Sequence, residues 1–331
     1  MTSFDAIVSA LSERNHFLIL THEDPDADGI GSMLALGRSL SAAGKEVTLL
    51  TQEPIHPPLR SLTGADQVVN ELAPDSRFEI AVALDCAERT RLGRVGNQLK
   101  DHDLLINIDH HETNSAFGTL NLIEPTCSST AELVFRVIQA AGLPISPDVA
   151  GNLFAGIQAD TGSFRYSNTT PGAFRAAADL LEQGADPWDI SRRVMDSYSL
   201  PRLRLLRMAL DTVRFHYAGQ IAVMTLTRRM FQESGAQAAD TERFVDYPRF
   251  VEGVELGVLV RELGERECKF SLRSNKRLNA ARLAADFGGG GHVRAAGFRC
   301  QRPVDDAISE FLIRAEGFLD ETGDRWDTPD R

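Results

Sequence analysis

Apolar segments that end abruptly in acidic residues or histidine recur through the first half of this chain. The densest example is residues 22–32, where His22 and four carboxylates directly follow the apolar run 17–20. That run predicts a short buried strand, and residues 33–36, after a glycine-containing turn, predict a helix. Open α/β sheets bind ligands at the carboxyl ends of strands, so the segment predicts a ligand site. An aspartate that merely caps the helix is the alternative that the local sequence leaves open.

Three later elements repeat this arrangement. The elements and the residues that follow them are the run 80–84 with Asp85, the run 104–108 with Asp109, His110 and His111, and the helical pattern 150–157 with Asp160. A single Asp after a strand is often only a turn former. Four such endings in one chain predict a shared metal site, because carboxylate and imidazole groups suit divalent cations. Since no thiolate is among them, Mn²⁺, Mg²⁺ or a related ion is favoured over a structural zinc.

The order of predicted elements indicates a parallel-sheet domain followed by a smaller one. A strand, a helix over residues 33–43 and a strand over residues 46–51 form a βαβ unit, which implies an α/β fold with helices on both faces of a parallel sheet. The later predicted elements are helices at 174–181, 187–195 and 201–215, and antiparallel-looking strands at 220–226, 254–263 and 266–273. The expected organisation is an N-terminal domain at 1–187, a helical linker at 188–215 and an α+β domain at 216–325.

A run of four glycines, residues 288–291, precedes His292 in the second domain. Consecutive glycines cost backbone entropy, so they predict a place where backbone N–H groups approach an anion. A flexible loop is the alternative, but the adjoining His292 and Arg294 favour contact with a phosphate or a base.

Charge and composition exclude several classes of protein. The formal net charge of -12 argues against a broad basic surface for long nucleic acid, which proteins hold with clustered lysine and arginine. No apolar segment approaches the roughly 20 residues of a membrane span. The four cysteines are widely spaced and the N-terminal residues lack a basic and apolar leader. We therefore expect reduced thiols and a cytoplasmic protein without a membrane partner.

Together, these motifs resemble those of the DHH phosphoesterase superfamily, named for the triplet Asp109-His110-His111. The matching motifs, in order, are His22-x-x-x-Asp26-x-Asp28, Asp85 after an apolar strand, the triplet, and Asp160-Thr161-Gly162. The glycine run with His292 resembles the signature of the DHH-associated C-terminal domain. The chain is most similar to the bacterial nanoRNase and phosphoadenosine-phosphate phosphatase subgroup.

The resemblance implies a centre with two divalent ions, most often Mn²⁺, with Mg²⁺ or Co²⁺ as alternatives. Asp85 would bridge the ions, while Asp24, where the family commonly has a neutral residue, would be an outer or solvent-facing group. The implied ligands are His22, Asp26 and Asp85 for one ion, and Asp28, Asp85, His110 and Asp160 for the other.

The resemblance also implies which residues meet the substrate. His111 would face the phosphate, and Asp109 would orient the neighbouring histidines. In the C-terminal domain, the residues expected to hold the nucleotide are Gly290, Gly291 and His292, and Arg273 is a further candidate for holding a phosphate.

The activity that the resemblance implies is metal-dependent hydrolysis of short oligoribonucleotides, such as pApA, to mononucleotides. A 3'-phosphatase activity on adenosine 3',5'-bisphosphate would accompany it, in a homodimer that does not bind long duplex nucleic acid. Hydrolysis of cyclic di-AMP, hydrolysis of pyrophosphate and a non-catalytic regulator that binds nucleotides are alternatives that the sequence leaves open.

Overall fold

The computed structural model describes residues 2–73, 76–96, 99, 104–196, 198–275 and 278–321. The chain divides into two compact units, Met1–Ser197 and Tyr198–Arg331. The division falls inside the segment expected to be a linker, residues 188–215. In the described part of the chain, none of the helices has the length and apolar composition needed to span a bilayer.

The first unit alternates strands and helices. Its described elements are α1 (Ser3–Glu13), β1 (His16–Thr21), α2 (Ala27–Ala42), β2 (Glu46–Leu50), β3 (Ile80–Leu84), α3 (Gly93–Gly96), β4 (Leu104–Asp109), β5 (Leu120–Ile123), α4 (Thr130–Ala140), α5 (Pro147–Asp160), α6 (Pro171–Glu182) and α7 (Pro187–Ile190), which a π-helical turn (Ser191–Met195) extends.

The five strands form one sheet in the order β2-β1-β3-β4-β5, and every pair is parallel. The predicted parallel α/β sheet is confirmed. The chain moves from β1 outward to β2 and then returns to the opposite side of β1 for β3. Such a reversal leaves a crevice at the carboxyl ends of the two central strands, which is where sheets of this kind bind ligands.

Side chains along β1 alternate between two cores, as a pleated strand requires. Phe17 and Ile19 pack with residues of α1, α2, α4 and α5. Leu18 and Leu20 face the opposite side of the sheet, where α3 and a short 3-10 turn (Arg89–Leu92) contribute apolar residues. The sheet is therefore buried on both faces, so that polar groups collect at the strand ends.

The helix after β1 starts earlier than the sequence suggested. A turn was expected at residues 29–32, but α2 begins at Ala27 and includes those residues. Asp26 is the N-cap, and its side chain accepts hydrogen bonds from the first turn. Gly31 does not form a turn but allows α2 to pack closely against α5, since a Cβ on Gly31 would collide with the backbone carbonyl of Asn152 in α5.

The second unit combines a mixed sheet with helices. Its described elements are α8 (Leu200–Leu210), β6 (Arg214–His216), β7 (Ile221–Leu226), α9 (Arg228–Ser234), α10 (Asp246–Arg249), β8 (Leu256–Gly264), β9 (Glu267–Ser274), α11 (Ala280–Ala285), β10 (Gly290–Gly291), β11 (Ala295–Cys300) and α12 (Val304–Glu321).

Two sequence expectations for this unit need correction. The sheet order is β10-β11-β9-β8-β7-β6, with β8 and β9 antiparallel as expected but β7 and β8 parallel, because α9 and α10 form a crossover between them. The helix expected to reach residue 215 ends at Leu210. There the Thr212 hydroxyl and the Thr225 backbone exchange hydrogen bonds, which directs the chain into β6.

Candidate metal centre

His22 and Asp85 meet because β1 and β3 are in register. Thr21 lies opposite Leu84, so the next residue of each strand is His22 and Asp85 respectively. His22 Nε2 lies 3.6 Å from Asp85 Oδ2, and Nδ1 lies 2.7 Å from the carbonyl of Glu23. The Glu23 carbonyl fixes Nδ1 as the protonated nitrogen and leaves Nε2 for a ligand, which is the usual arrangement of a metal-binding histidine.

Arg91 makes a competing contact with this imidazole. Its Nη2 lies 3.1 Å from His22 Nδ1 and can only donate, whereas the shorter Glu23 contact requires Nδ1 to donate. We assign the proton to Nδ1 on the shorter distance. Burial disfavours the charged imidazole, but the Asp85 carboxylate outweighs burial and raises the pKa of His22.

Asp85 occupies the middle of the site in a strained conformation. Its φ of 56° lies in the left-handed region, which a residue other than glycine adopts at a cost. Its side chain is buried, and Oδ1 accepts a 2.9 Å hydrogen bond from the Thr130 hydroxyl. Burial would raise the pKa of Asp85, but the His22 contact and the charges of His22, His111 and His110 lower it.

Asp26 and Asp28 are fixed in different ways. Asp26 Oδ1 accepts from the backbone N–H groups of Asp28 and Gly29, at 3.0 and 3.2 Å, so Asp26 is a helix cap. The second carboxylate oxygen of Asp26 stays available, so Asp26 can cap the helix and also bind a metal ion. Asp28 Oδ2 and Oδ1 accept from the N–H groups of Thr130 and Ala131, at 2.7 and 2.8 Å.

The triplet follows β4. Asp109 Oδ1 accepts the His110 backbone N–H at 2.9 Å and lies 2.7 Å from His111 Nδ1, while Oδ2 accepts from Asn114 at 2.5 Å. His110 Nε2 lies between 3.6 and 3.9 Å from oxygens of Asp28, Asp85 and Asp160. Asp109 therefore contacts both histidines, His110 at its backbone N–H and His111 at its ring.

Asp160 is the last residue of α5 and has a side chain that is 30% exposed. Asn168 Nδ2 lies 3.1 Å from Asp160 Oδ2 and 2.9 Å from the carbonyl of Ser128. Burial and the neighbouring Asp26 and Asp85 raise the pKa of Asp160 to about 7, against the opposing charges of His110 and His111.

The arrangement fits divalent cations. The groups whose ligand atoms lie within 4.8 Å of one another are His22, Asp26 and Asp85; Asp28, His110 and Asp160; and Asp85, His110 and His111. The separations of 3.6 to 3.9 Å between imidazole and carboxylate atoms are too long for hydrogen bonds. They suit two ligands that each lie about 2.1 Å from one ion. Burial and nearby carboxylates also raise the pKa of Asp28 well above its usual value, and a cation would offset this repulsion.

The residues expected to hold the nucleotide gather in the second unit. The edge strand β10, formed by Gly290 and Gly291, pairs with β11, and Arg273 of β9 lies opposite Ala295 of β11. His292 is exposed and its backbone N–H donates to the Ala295 carbonyl at 2.7 Å. Gly290, Gly291 and His292 therefore lie at the β10 edge of the mixed sheet, and Arg273 lies two strands in from that edge.

Part of the glycine run has a structural role. The N–H groups of Gly288 and Gly289 donate to carbonyls of α11, at Ala285 and Ala284. Gly291 has a φ of 141°, which residues with a side chain rarely adopt. The expected contact of Gly290, Gly291 and His292 with an anion stays a prediction.

Comparison with known proteins identifies the family. Residues 16–157 match the DHH family's N-terminal domain, and residues 218–321 match the DHHA1 domain. Over 315 residues the chain is 38% identical to the bifunctional oligoribonuclease and PAP phosphatase NrnA of Thermus thermophilus, covering 91% of each protein. The chain belongs to the DHH family. The resemblance drawn from the motifs is confirmed.

Solved structures support the same family fold. An exopolyphosphatase-related protein from Bacteroides fragilis superposes with a TM-score of 0.89 at 28% identity, over 97% of each chain. RecJ from Thermus thermophilus, solved in complex with Mn²⁺, has a TM-score of 0.56 at 16% identity, over 99% of this chain and 56% of RecJ. The RecJ likeness concerns the fold alone.

Some polar residues of the first unit contact the site but were not singled out from the sequence. Arg91, Thr130 and Asn168 contact the candidate ligands His22, Asp85 and Asp160 respectively, and Asn114 contacts Asp109. The capping pattern Ser129-x-x-Glu132 could have located the start of α4, because the Ser129 hydroxyl accepts from the Glu132 N–H. The capping pattern does not indicate that the N-terminal end of α4 also contacts Asp28 and Asp85. Asp24 is exposed, which agrees with the solvent-facing position expected for it.

Proposed function

We propose that this chain is a metal-dependent phosphodiesterase that hydrolyses short oligoribonucleotides to mononucleotides, with 3'-phosphatase activity on adenosine 3',5'-bisphosphate. The observation that carries the proposal is the convergence of two groups of ligand atoms on Asp85. The relative from Thermus thermophilus is named for both activities.

Six side chains of the DHH domain would hold two divalent ions, with Mn²⁺ preferred and Mg²⁺ or Co²⁺ as substitutes. Asp85 would serve both ions, since Oδ2 faces His22 and Oδ1 faces His110. Two such ions would supply Lewis acidity, lowering the pKa of a water and offsetting charge on the phosphoryl group. The assigned sets are His22, Asp26 and Asp85 for one ion, and Asp28, Asp85, His110 and Asp160 for the other.

His111 is better suited to the substrate phosphate than to an ion. Its Nδ1 lies 2.7 Å from Asp109 Oδ1, so Nδ1 carries a proton and only Nε2 is left to meet another group. Burial lowers the pKa of His111, but Asp109 and the nearby carboxylates raise it to about 9. An imidazolium in this position would attract the phosphate and balance its charge, while Asp109 would keep the ring in place.

The DHHA1 domain would hold the nucleotide through Gly290, Gly291 and His292, with Arg273 near the end of β9 as a further contact. A net charge of -12 disfavours a long basic track, so the substrates should be a few nucleotides long. We also propose that the chain works as a homodimer in the cytoplasm, without a membrane partner. The four free cysteines suit a reducing compartment, and symmetric dimers are the commonest oligomers.

A substrate panel tests this function. Purified protein with Mn²⁺ is assayed on RNAs of two, three, five and ten nucleotides, adenosine 3',5'-bisphosphate, cyclic di-AMP and pyrophosphate. We expect the highest kcat/KM on the dinucleotide, a decline with length, and measurable release of phosphate from the bisphosphate. Preference for cyclic di-AMP or pyrophosphate would replace the proposed substrate, and failure to hydrolyse any of them would contradict an enzymatic role. Light scattering of the same preparation tests the dimer.

A further inference from the structure

The two oxygens of Asp85 face different groups of candidate ligands. Oδ2 lies 3.6 Å from His22 Nε2, and Oδ1 lies 3.8 Å from His110 Nε2. The torsion that rotates a carboxylate about its last bond has a broad energy profile, so it does not hold one orientation by itself. A carboxylate that divides its oxygens between two ions therefore needs a neighbour that fixes its rotation.

Thr130 makes the contact that can do this. Its hydroxyl donates to Asp85 Oδ1 at 2.9 Å, and Thr130 and Asp85 are both buried. An oxygen that accepts this hydrogen bond keeps a further lone pair for an ion. The hydroxyl is on the side of the carboxylate that faces His110, so it distinguishes the two oxygens.

The hydroxyl has no part in capping α4. The N-cap is Ser129, whose side chain accepts from the N–H of Glu132. The backbone N–H of Thr130 donates instead to Asp28 Oδ2 at 2.7 Å. One residue thus contacts the shared carboxylate through its side chain and a ligand of the second group through its backbone.

We propose that Thr130 is a positioning residue that fixes the rotation of the Asp85 carboxylate, so that each of its oxygens serves a different ion. The inference rests on the two-ion centre of the proposed function. It predicts that the Thr130 hydroxyl affects metal affinity directly, beyond any effect on the stability of α4.

The test compares Mn²⁺ binding by metal-depleted wild-type protein with that of Thr130→Val, Thr130→Ser and Ser129→Ala, using calorimetric titration. Thr130→Val removes the hydroxyl and keeps the branched shape, so we expect the affinity for at least one ion to fall by about 10- to 100-fold. Thr130→Ser keeps the hydroxyl and should bind nearly as the wild type does. Ser129→Ala removes the cap, so it should lower Tm in EDTA and leave affinity near that of the wild type.

Two results would overturn the positioning role alone. The first is that Thr130→Val binds both ions with wild-type affinity. The second is that Ser129→Ala loses as much Mn²⁺ affinity as Thr130→Val does, which would indicate a general effect of the helix end. Wild-type protein that binds fewer than two Mn²⁺ ions would instead contradict the two-ion centre and overturn the inference with it. Should Thr130→Val fail to fold by circular dichroism, Thr130→Ala provides the same comparison.

Discussion

The candidate metal centre and the glycine segment are built in opposite ways. Asp28 and Asp85 are 1% and 2% exposed, and each accepts hydrogen bonds from α4. Gly290, Gly291 and His292 are exposed, and the local conformation there is set by backbone pairing with β11. The first region concentrates charge on rigid elements, and the second presents backbone at a sheet edge.

Because of this difference, we expect substitutions in the two regions to have different effects. Buried carboxylates that repel one another are stable only with protons or cations, so a substitution there alters the chemistry itself. The exposed edge has no buried charges that repel one another. A substitution there should therefore change substrate preference and leave the chemical step unchanged.

The largest expected effect is that of Asp85→Asn in the metal centre. Loss of a ligand shared by two ions should remove several kcal/mol of transition-state stabilisation, or roughly a thousandfold in kcat/KM on pApA with Mn²⁺. The matched control is Asp24→Asn, because Asp24 also has a positive φ, 52° against 56° for Asp85, but is exposed. Near wild-type activity in Asp85→Asn, or a similar loss in both variants, would contradict the assignment.

A smaller and selective effect is expected from His292→Ala at the glycine segment. Loss of one nucleotide contact should lower kcat/KM on pApA by about tenfold, which corresponds to roughly 1.4 kcal/mol. Hydrolysis of a small aryl phosphate, which offers no nucleotide to hold, should change little. The exposed neighbour Val293 provides the control, as Val293→Ala. Equal losses on both substrates would remove His292 from nucleotide binding.

The smallest expected effect concerns stability and pH in the metal-free protein. Because the pKa values of Asp28 and Asp160 are raised, these groups stay protonated to a higher pH in the folded state than in the unfolded state. His22 and His111 also have raised pKa values, so they too stabilise the fold less as pH rises through those values. Between about pH 6 and pH 9, the free energy of unfolding should therefore fall.

Thermal unfolding in EDTA measures this trend, with an expected drop in Tm on the order of 5 °C over that range. Saturating Mn²⁺ should reduce or reverse it, since ions bind the deprotonated ligands. Asp160→Asn should flatten it. A Tm that is constant or rises with pH in EDTA would indicate that these groups are not coupled as described.

Much of the site was predictable because several of its residues directly follow β-strands that the sequence identifies. Continuous apolar runs identified β1, β3 and β4, and parallel strands bring the residues after them to one edge of a sheet. His22, Asp85 and the triplet therefore had to lie close together. The family resemblance then supplied the division of the ligands between ions, which spacing alone left open.

Other features depend on packing that no local pattern encodes. The early start of α2 depends on Asp26 as a cap and on Gly31 against α5. The contacts of Thr130 with Asp28 and Asp85 join residues more than forty positions apart. The parallel pairing of β7 with β8 depends on the crossover through α9 and α10, which was not predicted from the sequence.

Asp85 is the carboxylate that we propose two ions share. Titration of metal-depleted wild-type protein with Mn²⁺, followed by electron paramagnetic resonance, tests this sharing. We expect two bound ions with a magnetically coupled spectrum, because ions in such centres lie about 4 Å apart. A single bound ion, or two ions whose spectra show no coupling, would contradict it.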